Sequence, residues 1–308
     1  MRTLVVGAGA VGGYFGGRLL ETGRDVTFLV RPRRAHELYT SGLRIRSRFG
    51  DVAIAKPATI LALDLDSPFD LVLLSCKAYD LDNAIASFAP AVGPETVVLP
   101  MLNGIRHLDV LDERFGADCV LGGTVFIAAT VGEKGEIVHL NDRHGVTFGE
   151  RDGTMSERVK AIDQLMGGAR FDHVASPNVL HEMWQKWVFL ATLAGSTSLT
   201  RASIGDIAAA PGGRELVLGI LAECQSIAAA AGYRLSDSYL ETTRRLLTAP
   251  GSPFTASMLR DIEAGAPIEG DHIIGDLLAR GDSPLLRIVY TALKAYEARR
   301  EVKNERSG

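Results

Sequence analysis

Short apolar runs alternate with stretches of helical periodicity in the amino-terminal half of the chain. The apolar runs predict strands at 2–6, 25–30, 70–75, 96–100 and 119–130. A helix is predicted at 80–90, between two of these strands. Strands that alternate with helices are typical of a parallel sheet covered by helices. The pattern therefore predicts an α/β domain with a Rossmann-like, doubly wound sheet.

Two further segments of this half have the patterns of paired strands. Residues 40–60 alternate polar and apolar positions and predict a small hairpin. Residues 119–149 predict paired strands around the turn Gly132-Glu133-Lys134-Gly135, and we expect them to add an antiparallel edge to the sheet. His139 and His144 show no zinc-ligand spacing, and we expect them to lie in a solvated loop.

From about Pro177 the strand signals end and helical periodicities take over. Helices are predicted at 178–194, 203–209, 212–231, 236–248, 254–264, 267–281 and 284–301. A chain of 308 residues exceeds one ordinary domain, so we predict an α/β domain at 1–174 and an all-helical domain at 175–308. The polar end, 302–308, is expected to be frayed.

A glycine motif follows the first predicted strand. It reads Gly7-Ala8-Gly9-Ala10-Val11-Gly12, and a helical stretch and a second strand come after it. This context is typical of a dinucleotide-binding loop, in which the helix N-terminus faces the pyrophosphate. Gly7 would permit the tight turn, Gly9 the close approach of the phosphates, and Gly12 the packing of helix against strand. A glycine-rich turn that binds no ligand is the alternative.

The residues after the second predicted strand select the form of the cofactor. An acidic residue there binds the ribose hydroxyl of NAD, whereas cations bind the 2′-phosphate of NADP. This chain has Arg31-Pro32-Arg33-Arg34 and no acidic residue between Val26 and His36. The sequence therefore predicts NADP(H), with Arg31 as the principal contact. A solvated basic loop is the alternative.

Composition narrows the classes of function. The net charge is −4 and the pI is about 6.0, so no overall basic field would attract nucleic acid or an anionic membrane surface. The three cysteines form no disulfide framework, and the chain starts in a strand without a signal-peptide pattern. We therefore expect a cytoplasmic protein without a membrane partner. The broad apolar faces of the helical half are compatible with a homodimer.

Candidate polar residues follow two of the predicted strands. Lys77 comes after the strand at 70–75 and can reach phosphate or ribose oxygens. Asn103 comes after the strand at 96–100 and can lie near the nicotinamide. In doubly wound sheets, ligands bind beyond the carboxyl ends of the strands, where both loops would lie. A surface lysine and an ordinary Asn-Gly turn are the alternatives.

The helical half adds two candidates. Lys186 lies in Trp184-Gln185-Lys186-Trp187, and its helical neighbours are apolar, which is unusual for a solvated lysine. A lysine that extends to the surface from an apolar face is the alternative. Glu269 lies in the first turn of a predicted helix, where an acid that interacts with the helix dipole is the alternative.

Together these residues resemble the ketopantoate reductase (2-dehydropantoate 2-reductase) family over nearly the whole chain. The resemblance is carried by the glycine motif, Cys76-Lys77-Ala78-Tyr79, Asn103-Gly104, Trp184-Gln185-Lys186, Ser257-Met258-Leu259-Arg260-Asp261-Ile262 and Pro267-Ile268-Glu269-Gly270-Asp271. It implies an NADP-dependent oxidoreductase that reduces 2-dehydropantoate to pantoate in pantothenate biosynthesis. A metal is not expected, because a cation already polarises the carbonyl.

The resemblance also implies roles for individual residues. Lys186 is similar to the general acid of the family, and Glu269 to the acid that holds the lysine and the substrate oxygen. Ser257 is similar to the contact for the substrate carboxylate, with an N-cap as its alternative. Asn103 is similar to the asparagine that bridges cofactor and substrate. Arg31 and Lys77 are similar to the cofactor cations, and Glu269 is also expected among the cofactor contacts.

One departure from the family pattern bears on the substrate. The family has asparagines one and two turns after the lysine, and this chain has Leu190 and Ala194 there. Because the loss of amide hydrogen bonds changes substrate preference, a different 2-oxo acid is the first alternative. A non-catalytic NADP(H)-binding sensor is the second.

Overall fold

The computed structural model describes residues 1–305, and it divides into two compact units. The units are Met1–Met183 and Trp184–Gly308. The boundary predicted between 174 and 175 stays a prediction. Of the end that was expected to be frayed, residues up to Glu305 are helical, and 306–308 lie outside the described residues.

The first unit contains strands and helices in alternation. Its strands are β1 (Thr3–Val6), β2 (Val26–Leu29), β3 (Leu43–Arg46), β4 (Val52–Ile54), β5 (Ala58–Ile60), β6 (Leu71–Leu74), β7 (Val97–Pro100), β8 (Gly122–Val131), β9 (Ile137–Gly149) and β10 (Asp172–Ala175). Its helices are α1 (Ala10–Glu21), α2 (Pro32–Ser41), α3 (Leu81–Phe88), α4 (Arg106–Phe115) and α5 (Glu157–Met166).

A parallel sheet with the order β5-β2-β1-β6-β7 confirms the predicted α/β fold. The central strand β1 pairs in parallel with β2 and β6, so that Val6 lies opposite both Leu29 and Leu74. Every residue of β1, β6 and β7 is buried, as expected for strands covered on both faces. The carboxyl ends of all these strands therefore share one edge, where the loops that follow them meet.

The predicted hairpins belong to a second sheet. Strands β3 and β4 pair antiparallel, as predicted for 40–60, and β8 and β9 pair around the predicted glycine turn. The expectation that residues 119–149 extend the parallel sheet is wrong. Strand β9 instead pairs with β3 and β10, in a sheet of order β10-β9-β3-β4 with β8 on its other side.

Helix α1 packs against both sheets, and its glycines allow this. A Cβ atom on Gly16 would come within 2.7 Å of the Phe28 ring, on the parallel sheet. A Cβ atom on Gly17 would come within 2.7 Å of the Ile45 side chain, on the second sheet. Because both faces of this helix are covered, α1 lies between the parallel sheet and strand β3 of the second sheet.

The two histidines expected in a solvated loop are buried on β9, so that expectation is wrong. His139 and His144 are 9% and 7% exposed. The His144 Nδ1 atom shares a hydrogen bond of 2.7 Å with the Tyr14 hydroxyl, and His139 Nδ1 shares one of 2.9 Å with Ser47 Oγ. The ring of Phe49 stacks on His144 with 3.8 Å between centroids. Aromatic packing and hydroxyl partners thus compensate for the burial of two polar rings.

The second unit is helical, as predicted. The helices are α6 (Val179–Thr200), which begins at the end of the first unit, α7 (Ile204–Ala209), α8 (Gly213–Ala230), α9 (Asp237–Leu247), α10 (Ser257–Glu263), α11 (Asp276–Arg280) and α12 (Pro284–Glu305). A π-helical turn, Asp271–Gly275, leads directly into α11. Across residues 1–305, the helices are all too short or too polar to traverse a lipid bilayer.

Acid should destabilise the first unit through His144. Burial lowers the pKa of His144, the charges of His139 and Arg18 lower it further, and Asp172 opposes them. The unfolded chain, whose histidine pKa is about 6.5, therefore binds the proton first as the pH falls. The contribution of neutral His144 to stability is full above about pH 6.5 and is lost as the pH falls through its lower folded pKa.

Thermal unfolding between about pH 7.5 and about pH 5.5 measures this effect. Over this range, the decrease in Tm should be smaller for the His144→Gln variant than for the wild type. The control, His36→Gln, removes an exposed histidine and should keep the wild-type dependence. Equal pH dependence in wild type and His144→Gln would contradict the assignment.

Candidate active site

The glycine loop joins β1 to α1 and leaves its middle open. Gly7 has a φ of +93°, which glycine adopts without strain. A Cβ atom on Gly9 would meet nothing within 4 Å, whereas one on Gly12 would collide with the Gly7 carbonyl and Ser75 Oγ. Gly9 immediately precedes α1, so the open space adjoins unpaired backbone N–H groups. These residues fit a pyrophosphate at the helix N-terminus.

Two side chains that the sequence reasoning missed hold this loop. Ser75, at the end of β6, donates its hydroxyl proton to the Val6 carbonyl at 2.8 Å, with the Gly7 carbonyl at 3.3 Å. Arg34 donates from Nε to the Ala8 carbonyl at 3.1 Å. The position of Ser75 directly after an apolar strand was the available signal. Arg34 thus stabilises the glycine loop, although it belongs to the basic segment Arg31-Pro32-Arg33-Arg34.

The predicted cofactor residues of the first unit lie at the carboxyl edge of the parallel sheet. Arg31 follows β2, Lys77 follows β6 and Asn103 follows β7. Since β1, β6 and β7 are neighbours, the glycine loop, Lys77 and Asn103 come from adjacent strands. Lys77 and Asn103 are half-buried, and the Arg31 side chain is 75% exposed.

An acidic residue accompanies Arg31, and the sequence did not reveal it. Asp80 lies at the end of the short 3₁₀ turn after Lys77, and its carboxylate is 3.0 Å from the Arg31 guanidinium. The sequence did not indicate this pairing, because Asp80 comes from a different loop of the same edge. Part of the positive charge expected for a 2′-phosphate is therefore balanced in the protein itself.

The helical unit places Lys186 in a buried position on α6. This lysine is 8% exposed and lies between the buried Trp184 and Trp187. The indole N–H of Trp187 donates to the Ile273 carbonyl at 2.9 Å and fixes this turn of the helix. Burial lowers the pKa of Lys186 to about 7, although the negative charge of Glu269 acts to raise it. A lysine of this pKa can give up a proton at neutral pH.

Glu269 belongs to the same site as Lys186. It is 8% exposed and precedes the π-helical turn, and its carbonyl accepts the Ile273 N–H at 2.9 Å. The indole of Trp187 binds the carbonyl of that same residue, Ile273. The structure therefore brings together the two helical candidates, which are far apart in the sequence.

Ser257 is the first residue of α10 and is exposed. The N-cap is Ala256, so the alternative that Ser257 acts as the N-cap is wrong. The Ala256 N–H donates to Thr197 Oγ1 on α6 at 3.4 Å, which ties the start of α10 to the helix that contains Lys186. Because Ser257 is exposed, its hydroxyl group is accessible to a ligand at the surface of this unit.

The first unit has a parallel sheet with an open glycine loop, and the helical unit has a buried lysine–glutamate pair. These features are typical of two-domain oxidoreductases that use a nicotinamide nucleotide.

Comparison with known proteins identifies the family within this class. A family model described as "Ketopantoate reductase PanE/ApbA" matches residues 3–153, and its C-terminal counterpart matches 178–297. The Bacillus subtilis (strain 168) protein named "Uncharacterized oxidoreductase YkpB" is 38% identical over 97% of this chain and 99% of its own. A 2-dehydropantoate 2-reductase of Mesorhizobium japonicum is 28% identical over 89% of each chain. The crystal structure of 2-dehydropantoate 2-reductase from Geobacter metallireducens GS-15 is 29% identical, covers 96% of this chain and 99% of its own, and has a TM-score of 0.87.

The chain belongs to the ketopantoate reductase family. It is an oxidoreductase of the CH–OH group, its substrate is a small molecule, and its cofactor is a nicotinamide nucleotide.

Two glycine variants should separate cofactor binding from folding. Gly9→Ala places a methyl group in open space, so its Tm should stay near the wild-type value while the Kd for NADPH rises, by about tenfold or more. Gly12→Ala drives the methyl group into the Gly7 carbonyl and Ser75, so its Tm should fall by several degrees. Thermal unfolding and fluorescence titration measure the two effects. Unchanged NADPH affinity in Gly9→Ala would place the pyrophosphate elsewhere.

Proposed function

We propose that this protein reduces a 2-oxo acid to the 2-hydroxy acid with NADPH, and that Lys186 is the general acid. The buried Lys186 beside Glu269 is the observation that carries the proposal, since its pKa of about 7 suits proton donation at neutral pH. Within the family, the reaction is the reduction of 2-dehydropantoate to pantoate, a step of pantothenate biosynthesis.

Lys186 acts on the ketone oxygen. A bound reduced nicotinamide would supply a hydride to the ketone carbon, and the ketone oxygen would then gain negative charge. The Lys186 ammonium donates a hydrogen bond to it, stabilises the charge and gives up the proton. Because this cation polarises the carbonyl, the reaction needs no metal ion.

The remaining residues position the reactants. Glu269 keeps the lysine cationic and oriented, because its carboxylate opposes the effect of burial. Ser257 donates its hydroxyl proton to the substrate carboxylate, and its place at the first position of α10 supports this role. Asn103 provides an amide for both substrate and nicotinamide. Glu269 also contacts the cofactor.

The form of the cofactor is assigned from the basic loop. Arg31 would bind the 2′-phosphate of NADP(H) with Lys77 as a second cation, and the Gly7–Gly12 loop would hold the pyrophosphate. The exposure of the Arg31 guanidinium supports this assignment. The ion pair with Asp80 reduces the positive charge that Arg31 offers to the phosphate.

A different 2-oxo acid is the second candidate substrate. Leu190 and Ala194 lie one and two turns after Lys186, on the same side of α6, and neither has a polar side-chain atom. This apolar face disfavours a strongly hydroxylated substrate. The two candidates share one mechanism and differ only in the group attached to the ketone carbon.

The cytoplasmic location and the homodimer stay predictions. Light scattering coupled to size-exclusion chromatography would measure the mass in solution.

The pH dependence of kcat/KM should report Lys186. The acid must be protonated in the free enzyme, so reduction should be constant at low pH and fall as the pH rises through about 7. Lys186→Ala should lose on the order of a hundred- to ten-thousand-fold in kcat while it keeps the Kd for NADPH. Steady-state kinetics with an oxo acid and a cofactor titration measure both quantities.

A matched variant tests the contribution of Glu269. Glu269→Gln removes the charge that raises the pKa of Lys186, so the fall in kcat/KM should move to lower pH.

A Lys186→Ala enzyme that retains more than about a tenth of the wild-type kcat would exclude Lys186 as the general acid.

Cofactor preference should depend on Arg31 and Asp80 in opposite directions. Arg31→Ala removes a cation from the 2′-phosphate and should lower the NADPH-to-NADH ratio of kcat/KM about tenfold. Asp80→Asn removes the competing carboxylate and should raise that ratio. The exposed Arg48→Ala is the control for loss of one charge and should leave the ratio unchanged. If Arg31→Ala leaves the ratio unchanged, the basic loop does not bind the phosphate.

A further inference from the structure

The surface next to Lys186 indicates the substrate class. We infer that the 2-oxo acid carries an apolar side chain, preferably an aryl group, and no hydroxyl group on that side chain. The inference rests on the proposed function, because it assumes that the ketone oxygen meets Lys186 and the carboxylate meets Ser257.

The turn of α6 after Lys186 is apolar and partly accessible. Phe189 and Leu190 stand three and four residues after Lys186, the spacing of neighbours on a helix surface. Both are half-buried, whereas Leu193 and Ala194 on the next turn are buried. Side chains on a helix lean toward its N-terminus, so Leu190 covers the turn that contains Lys186.

A second aromatic ring extends this surface. Phe254 is 40% exposed, and its ring centroid is 6.0 Å from that of Phe189. The segment is fixed, since the Phe254 carbonyl accepts the Ile204 N–H at 3.0 Å and the nearby Ala256 N–H binds Thr197 at 3.4 Å. An exposed aromatic ring held by backbone hydrogen bonds is a surface suited to an apolar ligand.

The chain itself links this apolar surface to the polar contacts. Phe254 comes three residues before Ser257, and Phe189 and Leu190 adjoin Lys186. With the carboxylate on Ser257 and the ketone oxygen on Lys186, the third group on the ketone carbon extends over Phe189, Leu190 and Phe254. An aryl group there gains apolar and ring–ring contact. A hydroxyl group would lose its water, and these three side chains have no polar atom to replace it.

A matched pair of substrates tests the inference directly. Ketopantoate and 3,3-dimethyl-2-oxobutanoate differ only in the hydroxyl group of ketopantoate, and phenylglyoxylate supplies an aryl group. Steady-state kcat/KM with NADPH should favour the dimethyl acid over ketopantoate by about tenfold or more. Phenylglyoxylate should be reduced at least as well as the dimethyl acid.

Variants then identify the side chains responsible. Leu190→Asn offers an amide to the hydroxyl group and should shift the ratio toward ketopantoate by about tenfold or more. Phe254→Ala should lower kcat/KM for phenylglyoxylate more than for the dimethyl acid. Leu218→Asn, which changes an exposed leucine on α8, is the matched control and should leave all ratios as in the wild type. Thermal unfolding verifies that each variant is folded.

The outcomes separate the inference from the proposed function. If the wild type prefers ketopantoate or treats the pair equally, the substrate class is wrong and the reductase assignment stands. If Leu190→Asn is folded and leaves the ratio unchanged, the apolar surface does not select the substrate and the inference is overturned. If no 2-oxo acid is reduced with either nicotinamide nucleotide, the proposed function fails, and the inference fails with it.

Discussion

The burial of one ammonium group is the constraint that shapes the helical unit. A charge removed from water is costly unless an opposite charge or hydrogen bonds accompany it. Lys186 is placed in such a position by α6, and Glu269 provides the opposing charge from a segment far along the chain. The two segments are also joined by the Trp187–Ile273 hydrogen bond, so the separation of the pair is set by packing and not by the long lysine side chain.

The first unit depends on a different constraint, the close approach of backbone to backbone. The glycines of α1 let the helix contact both sheets, and the same helix presents its N-terminus beside the open Gly9. Ser75 and Arg34 then fix the loop through its carbonyl groups, and the Gly7 N–H donates to the Leu29 carbonyl. Under the proposed function, affinity for a dinucleotide would arise mainly from backbone geometry, and the charged side chains of Arg31 and Asp80 would adjust which nucleotide is preferred.

Local patterns predicted most of the fold, because hydrophobic periodicity and glycine turns are local signals. The parallel sheet, the hairpin β3–β4 and the helical second half follow from them. The membership of β9 in a second sheet does not, since it depends on pairing with β3 and β10. Asp80 was missed for the same reason, as it meets Arg31 only after folding. The candidates Lys186 and Glu269 were found from their local setting, while their association emerged from the tertiary structure.

Burial alone does not make a titratable group chemically useful, and this chain shows the contrast. Burial lowers the pKa of both His144 and Lys186. For His144, Asp172 acts to raise the pKa, and the charges of His139 and Arg18 offset part of that effect. The pKa stays below its ordinary value, and the neutral ring serves as a structural element. For Lys186, a carboxylate opposes the effect, so the two protonation states are balanced near neutral pH. A lysine in that balance can both stabilise a developing negative charge and release its proton, which a permanently charged surface lysine does poorly.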